Sequence, residues 1–106
     1  MQKFVKDAIG MLKKEFSAKF DDFHGIYLYG SFADGTSQLD DDIELVAIFD
    51  VEDKAKREVI WPIVGKVETE LNVYIDLHPI TMDELKKDQE FYDEVVNKGI
   101  FFEGKP

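Results

Sequence analysis

The 106-residue chain has no cysteine and only one arginine, Arg57. Without cysteine there is no disulfide framework and no thiolate metal site. With one arginine, scattered lysines and a formal charge of −10, a passive grip on a nucleic-acid backbone is not expected. No apolar run approaches the ~18 residues that span a bilayer, and the chain does not open on a signal-peptide pattern. The expectation is therefore a cytoplasmic protein with no membrane contact. Internal repeats, low-complexity tracts and Pro/Gly/Ser linkers are missing too, so residues 1–106 read as a single domain.

What remains is enough for one packed core: 44% of the residues are apolar and 13% aromatic. Phe4, Val5, Ala8, Ile9, Leu12, Phe16 and Phe20 recur at helical spacing and predict a helix over 2–20. The turn residues of "DDFHG" end that period, and "IYLY" (26–29) reads as a strand. A loop follows, with a helical turn starting at Ser31, and then a second strand over 42–50. Residues 52–70 have helical spacing through Ala55, Val59, Ile60, Ile63, Val64 and Val67, but Pro62 predicts a kink or two shorter helices. "LNVYIDLHPI" (71–80) predicts a third strand. Thr81 and Glu84 form a capping-box pattern for a helix over 82–97 that closes at Gly99, and "IFF" (100–102) predicts a last strand. The order αββαβαβ implies an α+β fold, a mixed sheet with helices packed on it.

The sequence "YLYGSFADGTSQLDDDIELVAIF" (27–49) carries the chemistry. Asp40, Asp41, Asp42 and Glu44 crowd the start of an apolar strand, where like charges ~5 Å apart repel by about 3 kcal/mol at an effective dielectric near 20. On a strand Asp42 and Glu44 share a face. Asp76 lies in another apolar strand, and if the two strands are neighbours the three carboxylates converge. Oxygen ligands in that number suit hard divalent cations such as Mg²⁺, which would relieve the repulsion. Gly30 and Ser31, directly after the first strand, would let the backbone and a hydroxyl approach a phosphate. On charge alone the acidic run is a solvated loop, and Asp76 alone is a strand-end carboxylate facing water. His24 and His78 lack a matching ligand partner, and Trp61, Phe91 and Tyr92 fit a core or a partner surface better than a base-stacking platform.

Gly30-Ser31, then ten residues, then Asp42-Ile43-Glu44-Leu45 resembles the signature of the minimal nucleotidyltransferases of the DNA polymerase β superfamily. Ala33 and Gly35 agree with that family's Gly-Ser-x-Ala-x-Gly form, Asp76 in "YIDLHPI" matches its third carboxylate, and "GIFFEG" is similar to its closing strand. The likeness spans residues 24–104. It implies a polymerase β-like nucleotidyltransferase fold, two Mg²⁺ ions held by Asp42, Glu44 and Asp76, and β/γ phosphates placed by Gly30 and Ser31. It further implies transfer of a nucleotide, AMP from ATP or another NMP, to an acceptor hydroxyl. Stand-alone members are commonly encoded beside a small helical HEPN-type toxin, which some modify with AMP on a tyrosine, so such a protein is the implied partner. A homo-oligomer is also compatible. Asp34 and Asp41 depart from the family pattern. They support the alternative of a non-catalytic, antitoxin-like module that neutralises its partner by complex formation.

Overall fold

A computed structural model describes residues 1–38 and 40–104. The elements run α1 (Lys3–Lys19), β1 (Phe23–Tyr29), α2 (Ser31–Asp34), β2 (Ile43–Phe49), α3 (Lys54–Leu71), β3 (Ile75–Ile80), α4 (Met82–Lys87), α5 (Gln89–Tyr92), a π-helical turn π1 (Asp93–Asn97) and β4 (Ile100–Glu103). The strands form one mixed sheet in the order β3-β2-β1-β4. β1 pairs antiparallel with both β2 and β4, whereas β2 and β3 are parallel. A parallel pair needs a crossover, and α3 supplies it. The expected α+β class is borne out, and each predicted strand is present. Among the described residues no helix is long and apolar enough to cross a membrane.

Each face of the sheet buries a different set of side chains. On one, α1 contributes Val5, Ala8, Ile9, Leu12 and Phe16, and α3 contributes Ile60, Ile63, Val64 and Val67. They pack on Ile26, Leu28, Ile43, Leu45, Ala47 and Leu77. On the other face a smaller cluster joins Tyr29, Val46 and Ile48 to Leu85 of α4 and Val95 of π1. Alternation along β2 separates the sets: Ile43, Leu45 and Ala47 point one way, Glu44, Val46 and Ile48 the other.

The helices depart from expectation in three places. Pro62 does not divide α3 into two helices; the helix is continuous from Lys54 to Leu71. Trp61, Pro62 and Glu58 are exposed, so water can satisfy the carbonyl that the proline leaves without a donor. Ala55 and Val59, placed in the core by their spacing, are also exposed. β3 starts only at Ile75, because α3 runs through Leu71 and Asn72 closes it in the left-handed conformation, φ 54°. The predicted helix over 82–97 is broken into α4, α5 and π1. Thr81 caps α4 by accepting from the Glu84 amide, but Asp88 accepts from the Phe91 amide and starts a second helix within the same stretch.

Candidate active site

The register of β2 sets the site. Glu44 is opposite Tyr29 on β1 and beside Asp76 on β3. Both carboxylates lie on the face that carries Val46, at the end of the sheet where β1 turns into α2. Asp42 precedes β2 by one residue and is exposed. Burial, followed by repulsion from Asp76, Asp42, Asp41 and Glu94, raises the Glu44 carboxyl above its ordinary value. Burial, then Glu44, Asp76 and Glu94, likewise keeps the Tyr29 phenol protonated well beyond its usual range. Among the described residues no lysine or arginine forms an ion pair with Asp42, Glu44 or Asp76. Asp76 has His78 beside it, Nε2 to Oδ1 at 3.3 Å.

Gly30 makes room for this arrangement. Its φ of 75° favours glycine, and a Cβ there would stand 1.8 Å from Glu44 Oε2. The Glu44 carboxylate thus occupies the space that any other residue at position 30 would fill. The Gly30 carbonyl accepts from the Ala33 and Asp34 amides, starting the short α2. The hydroxyl of Ser31, expected at a phosphate, donates to Asp41 Oδ2 at 2.9 Å. The same Asp41 oxygen accepts from the Gln38 amide at 2.8 Å. Asp41 therefore ties Gln38 back onto the Gly-Ser turn.

Asp34 is occupied locally as well. Its Oδ1 accepts from both the amide and the hydroxyl of Thr36, which holds its carboxyl below the ordinary value. The two aspartates that depart from the family pattern thus serve the loop. Two contributors were not legible in the sequence. Glu94 carried no signal of its own in the sequence, and the π-helical turn at Asp93–Asn97 sets it within electrostatic reach of Glu44. Tyr29 lines the site because it pairs with Glu44 in the β1–β2 register.

The donor set suits a hard divalent cation: oxygen ligands of one charge, a carboxyl destabilised by its neighbours, and, among the described residues, no lysine or arginine paired with it. As the side chains stand, no group of three or more His, Asp and Glu among the described residues is arranged to hold a metal ion. The closest association is Glu44 with Asp76; Asp42 stands at the exposed mouth.

The family model for the nucleotidyltransferase domain matches residues 9–102. The chain belongs to the nucleotidyltransferase domain family. No curated protein matches it at a significant level. Among solved structures, the domain is similar to a toxin–antitoxin crystallised with AMP-PNP (23% identity, 87% of this chain and 69% of that one, TM-score 0.64). It is also similar to a mutant MntA toxin–antitoxin complex (20% identity, 83% and 66%, TM-score 0.63). A third is the complex of a tri-AMPylated Shewanella oneidensis HEPN toxin with MNT antitoxin (16% identity, 92% and 70%, TM-score 0.61). At these identities the likeness is one of fold. The domain spans 66–70% of the length of those three chains.

Proposed function

We propose that this nucleotidyltransferase domain transfers AMP from ATP to a hydroxyl of a HEPN-type protein partner. The observation that carries the reading is the pairing of Glu44 with Asp76 in register, next to Asp42 and with no lysine or arginine partner among the described residues. Its context comes from the relatives, one crystallised with AMP-PNP and one described as an AMPylated HEPN toxin with MNT antitoxin.

Asp42, Glu44 and Asp76 would hold two Mg²⁺ ions, which when bound supply charge neutralisation for the triphosphate and acidify the acceptor hydroxyl. In the transfer the acceptor oxygen forms a bond to the α-phosphorus of ATP, the bond from that phosphorus to the β-bridging oxygen breaks, and pyrophosphate leaves. Asp76 takes the hydroxyl proton. Gly30 brings the backbone close to the β and γ phosphates, and Ser31, fixed by Asp41, braces that turn. The protein's contribution is placement and electrostatics, with no covalent intermediate.

The test is a calorimetric titration of Mg²⁺–ATP into wild type and Asp42→Asn. Binding that requires Mg²⁺ and is lost in the variant, with the melting temperature unchanged, supports the reading. Failure of every nucleoside triphosphate to bind wild type would sink it in favour of a module that acts by complex formation alone.

A further inference from the structure

Two cavities adjoin at the opposite end of the face that carries Glu44, and they share Asp50 and Thr81 in their walls. The first, about 320 Å³, is walled by Tyr27, Phe101 and Met82 together with His24, Asp50 and Asp83. It includes Ile48, four residues along β2 from Glu44, so it lies about 13 Å from the carboxylates. It is a separate place from the candidate active site.

Its aromatic wall is built in advance. Tyr27 and Phe101 are register partners on β1 and β4, their ring centroids 4.7 Å apart at 44°. Phe101 lies over Gly25, where a Cβ would come within 2.6 Å of the ring, yet it stays 47% exposed. The polar wall is mainly acidic. His24 Nε2 and Asp50 Oδ1 are 2.6 Å apart, and Asp83 has no ion pair or side-chain hydrogen bond among the described residues. The second cavity adds Glu52, paired with Arg57, and Glu84, paired with Lys87. Among the described residues no lysine or arginine lines either cavity.

We propose that this groove docks an arginine-bearing segment of a protein partner, with the guanidinium against Tyr27 and Phe101 and beside Asp83 and Asp50. An exposed aromatic surface next to an exposed carboxylate matches a planar, weakly hydrated cation that stacks as well as ion-pairs. Arginine also ranks among the residues that anchor protein interfaces. The formal charge of −10 extends the same complementarity over the rest of the surface and disfavours a nucleic-acid occupant.

The probe is N-acetyl-arginine amide, titrated into the ¹⁵N-labelled protein and followed by amide chemical shifts, with N-acetyl-citrulline amide as its uncharged isostere. Saturable shifts are expected at Tyr27, Asp83 and Phe101, with arginine binding at least about five-fold tighter than citrulline. Asp83→Asn should bring the two probes together, and Phe101→Ala should weaken both. Asp83 is exposed and lies outside β4, so its variant keeps the test valid if Phe101→Ala perturbs that strand. Equal binding of the two probes, shifts centred on Glu44 and Asp76 instead, or no shift at all would each overturn the proposal. Neither nucleotide nor toxin is present, so the result is independent of the transfer reaction.

Discussion

At one end of the sheet Asp22 accepts hydrogen bonds from Lys56 and from the Val51 amide; at the other, Glu44 stands among Asp76, Asp42 and Glu94 with no lysine or arginine partner among the described residues. Lys56 is 11% exposed, also donates to the Val51 carbonyl, and lies over the rings of Phe49 and Phe20. Burial alone would raise the Asp22 carboxyl, but Lys56 and the Val51 amide outweigh it and hold the group below its ordinary value. For Glu44, burial and its neighbours act in the same direction, upward. Asp22 stabilises the folded chain; ionised Glu44 opposes it. A charge that costs stability and has no structural partner is the expected mark of a functional site.

Four experiments break or sharpen that contrast. The largest effect is expected from Asp42→Asn, a roughly 10³-fold or greater fall in transfer of label from α-labelled ATP, equivalent to about 4 kcal/mol. Its melting temperature should hardly move, because Asp42 is exposed. Lys56→Ala should do the reverse. Removing one partner of a mostly buried ion pair costs about 3 kcal/mol, read as a lower denaturant midpoint, while Mg²⁺–ATP binding at the far end of the sheet survives. If Lys56→Ala leaves stability untouched, the contrast between the two ends is wrong.

Glu44→Gln should abolish transfer and yet stabilise the metal-free protein by about 1 kcal/mol, roughly 4–8 °C in Tm, because it removes repulsion. The smallest signal is in the pH dependence of unfolding. A carboxyl whose pKa is raised by folding opposes folding above that raised value and is relieved below its unfolded value, so wild-type stability should rise slightly as pH falls through the Glu44 transition. Asp22, with its pKa depressed, contributes above its unfolded value and loses that contribution as pH falls further, through its folded pKa. Glu44→Gln should erase the first phase and keep the second. A single monotonic loss on acidification of wild type would contradict the raised value at Glu44.

Much of this was legible in the chain because period and spacing are local signals. The alternation in "DIELVAIF" separated Glu44 from Ile43 and Leu45, and Gly30-Ser31 at its distance from Asp42 marked the turn. What could not be read came from pairing and from competition between caps. The nearness of Tyr29 to Glu44 is a register fact, and Glu94 arrives only through a π turn that follows a second cap at Asp88. Ser31 and Asp41 were read separately, whereas the structure joins them by a hydrogen bond across the loop. Pro62 misled because its effect depends on whether the orphaned carbonyl meets water, and periodicity does not report that.

The parallel pairing of β2 with β3 also governs when the protein can first hold a ligand. β1 and β2 are antiparallel neighbours joined by a short stretch of chain, and they can zip together early in synthesis. Asp76 cannot reach Glu44 until all of α3 has been made and has folded back across the sheet. A growing chain released before β3 would therefore carry Gly30 and Glu44 without their third-strand carboxylate. Under the proposed function, nucleotide would stabilise only molecules that have already completed the crossover, so it should protect the finished protein from proteolysis while leaving nascent chains as vulnerable as before.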